Sequence, residues 1–191
     1  MKKQYNTVIV ILLVLAITLS SLLKMGNKFM SLREDVKMQE AQVEAVLQRR
    51  ADLIPNLVAT VNGYVKHEET VFFEIAEARS TLIKSLSSGN VSSISEASIA
   101  LDSALGKLIA ISENYPELKS SEHFIALMDE LAGTENRITV ARQTYNEKVS
   151  IYNKAVQEFP TGTAARLLGY YPLPYFQADE SAANVPTVNF N

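Results

Sequence analysis

Residues 7–23 read TVIVILLVLAITLSSLL and contain no charged side chain. As an α-helix this run measures about 26 Å, close to the roughly 30 Å hydrocarbon core of a membrane. A cleaved signal peptide is the alternative, because Lys2 and Lys3 precede the apolar run. The residues from Leu22 to Met25 form a poor cleavage region, however. We therefore expect an uncleaved single membrane span from Thr7 to Leu23, surrounded by the lipid bilayer.

Basic residues on the two sides of this span nearly balance. Lys2 and Lys3 precede it together with the terminal amine, and Lys24 and Lys28 follow it. Because cytoplasmic flanks carry an excess of Lys and Arg, the count leans slightly toward a cytoplasmic N-terminus. We expect a single-pass protein of the cell membrane whose remaining chain is extracytoplasmic.

Composition narrows the class of protein further. Of the 191 residues 47% are apolar and 20% are charged, which is ordinary for a folded protein. A net charge of -3 gives no general attraction to nucleic acid, so no nucleic-acid partner is expected. The absence of cysteine excludes disulfides, thiolate nucleophiles, cysteine-ligated metals and lipid-modified cysteines. Only 7 glycines and 6 prolines argue against a β-sandwich, which needs frequent turns.

Beyond the span, apolar residues recur in alternating steps of three and four, the pattern of packed helices. The pattern comprises Phe29, Leu32, Val36, Gln39, Val43, Val46, Arg50 and Leu53, with Gln39 and Arg50 as its polar exceptions. Pro55 then interrupts it, because proline lacks a backbone donor and clashes with the preceding turn. Either one helix kinks at Pro55, or a helix ends near Asp52 and another begins with Pro55 in its first turn. We predict the break, since a compact bundle requires the chain to reverse.

Further helices are predicted from apolar stripes and turn signals. The second runs from Pro55 to a turn at residues 87–90, the third from Ser92 to Asn114, the fourth from Ser121 to Pro160, and a short one from Gly162 to Leu168. These patterns predict an all-α fold, with an N-terminal transmembrane helix followed by an elongated antiparallel bundle of about four long helices.

Two charged residues interrupt the apolar seams of different predicted helices. Arg50 occupies a seam position, and Glu135 lies four residues after Leu131 and three before Ile138. If the helices are antiparallel the two lie at comparable depth, so we predict that Arg50 meets Glu135. Candidate neighbours are Asp52, Asn56, Asn136 and Arg137. This polar layer either fixes the helix register, which we favour, or lines a ligand or catalytic pocket.

Histidine chemistry has little support in the sequence. His67 precedes two glutamates, but a zinc motif of this kind needs a second histidine four residues later, where Val71 stands. His123 is the other histidine, and two are too few for a multi-histidine site. We expect no metal, no cofactor and no catalytic residue.

Aromatic residues on the fourth predicted helix recur every seven positions. They are Tyr145, Tyr152 and Phe159, with Asn146 and Asn153 beside the tyrosines. We interpret them as a buried aromatic seam with polar edges rather than a ligand platform.

Long motifs in this chain resemble the LemA family of bacterial membrane proteins. They read QRRADLIPNLVATVNGYVKHE (48–68), ELAGTENRITVARQTYNEKVSIYNKAVQEFP (130–160) and PYF (174–176). The resemblance covers roughly residues 29–177 and implies an antiparallel helical bundle on a single membrane span, without an established enzymatic activity or cofactor. Family members often occur beside membrane proteases or other envelope proteins. Some carry a lipid-attachment cysteine, which this chain lacks, so its anchor must be the helix itself.

This resemblance shapes the predicted domain boundaries. We expect a membrane anchor at residues 1–24, a LemA-like helical bundle at 25–176 and a flexible C-terminal tail at 177–191. Tyr175 and Phe176 are expected to close the end of the bundle; the alternative is that this extended segment docks in a groove.

The expected function is a non-enzymatic, membrane-anchored helical scaffold or adaptor for envelope proteins. The alternative is a ligand-responsive sensor with a polar pocket around Arg50 and Glu135. Expected partners are the lipid bilayer and other membrane or envelope proteins, a membrane protease among the candidates. A homo-oligomer is open, because the seam of the first helix can pair within the chain or between chains.

Overall fold

A computed structural model describes residues 2–65 and 68–177, and this part of the chain contains six α-helices and no strand. The helices are α1 (Lys2–Asn62), α2 (Glu69–Ser88), α3 (Val91–Ser112), α4 (Pro116–Lys119), α5 (Glu122–Gln157) and α6 (Thr161–Leu167). The predicted all-α class is confirmed. The predicted tail lies outside the described residues from position 178 onward.

The chain divides into two compact units that both draw on α1 and α5. The anchor unit comprises the described part of Met1–Gln39 together with Asn146–Leu173. The core unit comprises Glu40–Tyr145 together with the described part of Pro174–Asn191.

The helix α1 continues through Pro55, so the predicted break at this proline is wrong. The N–H that Pro55 lacks would have donated to the carbonyl oxygen of Ala51, four residues earlier. Instead Nε of Arg79, on α2, donates to this oxygen at 2.7 Å. A side chain from another helix thus replaces the missing backbone donor, and α1 ends only at Asn62.

The apolar run near the N-terminus forms part of α1. Large apolar side chains from Ile9 to Leu23 are exposed. Within the described residues, α1 is the one helix that is long and apolar enough to cross a membrane. The side chain of Thr7, the predicted first residue of the span, lies outside the described residues. Most of the apolar surface of this run is not covered by the chain, as in a membrane-anchoring helix.

The core unit buries apolar side chains from α1, α2, α3 and α5. They include Val43, Leu47, Ile54, Leu57, Ile75, Leu82, Leu101, Leu105, Leu131 and Ile138. Within this unit α1 and α5 are antiparallel, because Arg50 pairs with Glu135 and the earlier Glu40 lies near the later Tyr145. Burial raises the pKa of Tyr145 above its ordinary value, and the Glu40 carboxylate raises it further.

The turn predicted between the second and third helices is present. The helix α2 ends at Ser88, and Gly89 adopts a left-handed φ of 64° that favours glycine. The side chain of Asn90 then caps α3 by accepting a hydrogen bond from the Ser93 N–H at 3.0 Å.

In the anchor unit, polar atoms of α5 hold the chain that follows α6. The Tyr152 hydroxyl donates to the carbonyl oxygen of Tyr171 at 3.0 Å. Asn153 donates to the Leu173 carbonyl at 2.9 Å and accepts from the Leu173 N–H at 2.8 Å. The seam residue Tyr152 is fully buried, as expected, and its hydroxyl fixes an extended segment.

The aromatic seam does not extend to Phe159, which is 90% exposed. The prediction is wrong there because α5 ends at Gln157, so a seven-residue step no longer measures two helical turns. Phe159 instead lies in the connection to α6.

The end of the core unit is closed by Phe176 but not by Tyr175. Phe176 is buried, and its ring packs edge-on against Tyr145 with centroids 4.9 Å apart. The Tyr145 hydroxyl donates to the Pro174 carbonyl at 3.1 Å. Tyr175 is exposed, because successive residues of an extended segment point to opposite sides, so the predicted closure is wrong for this residue.

Candidate functional site

Arg50 is the buried centre of a charged cluster in the core unit. It extends from α1 and is only 6% exposed. Its Nη1 donates to Oε2 of Glu135, on α5, at 2.7 Å. The same nitrogen contacts Oδ1 of Asp102, on α3. One guanidinium nitrogen therefore joins three helices.

A second arginine, Arg142 on α5, belongs to this cluster electrostatically. Burial lowers the pKa of Arg142, and Arg50 lowers it further, whereas Asp102 and Glu135 raise it. Its guanidinium lies 5.9 Å from the centroid of the Phe176 ring. Nε and Nη2 of Arg142 and Nε of Arg50 are buried without a hydrogen-bond partner in the described part of the chain. The two guanidinium groups balance the carboxylates of Asp102 and Glu135 in charge, but these three arginine nitrogens have no acceptor there.

This environment also changes the pKa of the Asp102 carboxyl group. Burial raises its pKa above the ordinary value of 3.8, and the Glu135 carboxylate raises it as well. The guanidinium groups of Arg50 and Arg142 oppose this rise. Because desolvation is the largest effect, Asp102 binds a proton more readily than an exposed aspartate does.

A cavity of about 220 Å³ opens beside the cluster. Arg50 and Glu135 supply its charged part. Its apolar part consists of Leu57, Leu105, Ile109, Met128, Leu131 and Ala132. Pockets for drug-sized ligands usually measure about 300–1,000 Å³, so this one fits only a small molecule with an apolar body and a polar group.

The remaining predicted site residues lie elsewhere. Asp52, Asn56 and Asn136 are exposed, and within the described residues they make no hydrogen bond or ion pair with Arg50. Asp52 instead accepts a hydrogen bond from Gln48 at 2.9 Å.

Arg137 joins a second, exposed group of charges. Its Nη2 lies 3.0 Å from Oε1 of Glu130, which Arg49 also contacts at 2.7 Å. A hydrogen bond from Arg49 is the largest of the effects that lower the pKa of Glu130. Exposed ion pairs of this kind stabilise little, so this group is a surface feature.

Two cluster residues, Asp102 and Arg142, were not among the predicted site residues. The spacing of Arg142 predicts an inward-facing position, because it lies four residues after Ile138 and three before Tyr145 on the apolar stripe. Asp102 carried a weaker one, since it only flanks Leu101 at the edge of a stripe.

The histidines do not join this cluster as far as the structure describes them. His67 lies outside the described residues, and His123 is exposed at the start of α5. Among the described residues no three metal-binding side chains come together.

The long apolar helix and the all-helical core define a membrane-anchored helical protein. Its sequence matches the LemA family over residues 39–190. The chain therefore belongs to the LemA family, as the motif resemblance indicated.

Several relatives are about a quarter identical to this chain over the aligned residues. Magnetosome protein MamQ 2 of Paramagnetospirillum magneticum is 26% identical over 193 residues, covering 89% of this chain and 71% of that protein. Magnetosome protein MamQ of Magnetospirillum gryphiswaldense is 25% identical with the same coverage. Protein LemA of Metamycoplasma hominis is 25% identical over 173 residues, covering 90% of this chain and 78% of that protein. None of these names states a reaction.

Proposed function

We propose that this protein is a non-enzymatic, membrane-anchored helical scaffold or adaptor for other envelope proteins. The observation that carries the proposal is α1, one helix with an exposed apolar run from Ile9 to Leu23 and buried core residues such as Leu47 further along. Such a helix connects a membrane anchor to the core unit without an intervening loop. The relatives' names, which state no reaction, support a non-enzymatic role.

Exposed apolar side chains on the core unit supply surface for partners. Phe73 on α2 is 68% exposed, and Val140 on α5 is similarly uncovered. We expect the partners to be membrane or envelope proteins, with a membrane protease or a second copy of this chain among them.

A photo-crosslinking amino acid at position 73 tests the adaptor role in intact cells. We expect a light-dependent covalent adduct of the tagged full chain that contains a second envelope protein. The same amino acid at Lys84, an exposed polar position on α2, is the matched control and should give a weaker adduct. Abundant recovered chain without any adduct at either position would contradict the adaptor role.

We further propose that the core unit is extracytoplasmic, in a single-pass cell-membrane protein. Because the chain has no cysteine, a Ser120→Cys variant gives a unique label in an exposed turn before α5. A membrane-impermeant maleimide should label it in intact cells once any outer membrane is opened. Labelling only after disruption of the inner membrane would place the core unit in the cytoplasm.

A ligand-responsive sensor is the second candidate function. The observation that favours it is the cavity beside Arg50 and Glu135, with one charged part and otherwise apolar walls. A ligand that binds there stabilises the folded state by about 2.7 kcal/mol when its concentration is 100-fold above its dissociation constant.

Hexanoate and hexylamine test this site as probes of opposite charge. Thermal unfolding of the full chain in lipid nanodiscs, followed by circular dichroism, should shift upward with one of them. Ala132→Leu, which narrows the cavity, should abolish the shift, whereas Ala126→Leu at an exposed position on the same helix should retain it. An unchanged midpoint with both probes would argue against a sensor that recognises small amphipathic ions.

A further inference from the structure

Two large apolar side chains at the corner between α5 and α6 are uncovered. Phe159 is 90% exposed and Leu167 is 77% exposed, both within the anchor unit. In water such exposure is unfavourable, because apolar surface is stabilised by removal from solvent. The corner therefore needs an apolar environment.

The corner also forms one wall of a groove of about 410 Å³. Phe159, Pro160 and Leu167 lie on this wall, and the opposite wall is α1 between Ile17 and Met25. The groove is mainly apolar in its residue types, which suits a hydrocarbon chain.

The position of the groove along α1 decides what surrounds it. Its α1 wall extends about 12 Å along the helix axis from Ile17 to Met25. Most of this wall precedes Leu23, the last residue of the charge-free run. At the far end, a side chain added at Gly26 would meet Leu168 at an ordinary contact distance of 3.6 Å. The corner thus lies beside the last part of the membrane span itself.

Polar groups near the groove are already satisfied or lie in exposed positions. The Thr18 hydroxyl donates to the Leu15 carbonyl at 2.9 Å, so it does not require water. Lys24 and Arg166 are exposed within the two stretches that form the walls, where lipid phosphates would be natural partners, and Glu158 is an exposed acidic neighbour. The Nε of Arg166 also donates to the Gly162 carbonyl at 3.3 Å. The groove thus combines apolar walls that suit an acyl chain with nearby basic side chains that suit a phosphate.

We propose that the corner Phe159–Leu168 is a second membrane-contacting element, and that the groove between it and α1 holds a phospholipid acyl chain. The inference rests on the membrane anchoring in the proposed function and adds a lipid site to it. It makes the α5–α6 corner part of the membrane-embedded surface.

Depth-dependent quenching tests the site on the full chain. Single-cysteine variants at Phe159 and Leu167 carry a nitrobenzoxadiazole label in phosphatidylcholine vesicles that contain spin-labelled phosphatidylcholine. Leu15→Cys, inside the span, is the positive reference, and Phe73→Cys, a comparably exposed aromatic on the core unit, is the matched control. We expect fluorescence at 159 and 167 to fall by at least half, as at 15, with little change at 73.

Each other outcome overturns a defined part of this reasoning. Quenching at 15 without quenching at 159 and 167 would refute the lipid site and leave the anchor intact. No quenching at 15 would refute the anchor and the lipid site together. Equal quenching at 73 and 159 would refute a membrane contact that is specific to the corner. Quenching at 159 that appears only when the protein is diluted in lipid would assign the groove to a second copy of the chain.

Discussion

Arg79 is expected to stabilise α1 because Pro55 is present. Its Nε donates at 2.7 Å to the Ala51 carbonyl, the acceptor that Pro55 leaves without a backbone donor. Ala51 is fully buried, so water is a poor substitute for the lost donor. A hydrogen bond to a charged group contributes about 1.5–3 kcal/mol. Since Arg79 is only half-buried, we expect Arg79→Ala to lower the free energy of unfolding by about 2 kcal/mol.

A double-mutant cycle isolates this effect. Pro55→Ala restores an N–H four residues after Ala51, so the helix itself can satisfy the carbonyl. In that background Arg79→Ala should cost less than about 1 kcal/mol, which gives a coupling energy of about 1–2 kcal/mol. The measurement is urea unfolding of the full chain in detergent micelles, followed by far-ultraviolet circular dichroism.

Arg49→Ala is the matched control for this cycle. Arg49 forms an exposed ion pair with Glu130 and should cost at most about 1 kcal/mol in either background. If the effects of Pro55→Ala and Arg79→Ala on the free energy of unfolding were additive within about 0.5 kcal/mol, Arg79 would not be replacing the backbone donor that Pro55 lacks.

Four further substitutions test the packing and the cluster. Gly162→Ala should lower the free energy of unfolding by about 1–3 kcal/mol in urea, because the added methyl would lie 2.7 Å from the Gln157 carbonyl oxygen. Gly106→Ala is the matched control: nothing lies near the added methyl, so it should stabilise α3 by up to about 1 kcal/mol. Arg50→Met should cost about 3 kcal/mol, since it leaves two carboxylates without their shared partner; no loss would contradict a structural role. The raised pKa of Asp102 gives a stability contribution that is complete below pH 3.8 and lost as pH rises through the folded-state pKa. Wild type should therefore lose stability relative to Asp102→Asn as the pH rises above 3.8, and a constant difference would contradict this reasoning.

Local patterns predicted the helices well where the chain itself supplies the signal. The third helix was expected from Ser92 to Asn114 and is Val91–Ser112, because its apolar stripe and turn residues are close in sequence. The break predicted at Pro55 is wrong because the donor that replaces the missing N–H lies at position 79, far along the chain. No local pattern contains that information.

Helical geometry explains which site residues could be predicted. Arg50 and Glu135 share inward faces and are in contact. Asp52 lies about 200° around α1 from Arg50, so its nearness in sequence places it on another face. Arg142 lies seven residues after Glu135, about 20° from the same face, and could have been selected by that rule. Asp102 needed the packing of α3, which the stripe alone does not fix.

The failure at Phe159 differs from the failure at Pro55. A seven-residue repeat predicts burial only while the helix continues, and α5 ends two residues before Phe159. The repeat also assumes that an apolar side chain is removed from water by other protein. Beside Ile17–Met25 the proposed lipid site replaces that assumption, because lipid there would supply the apolar environment. The exposure of Phe159 is therefore unexplained in a soluble bundle, but it is what the proposed membrane contact predicts.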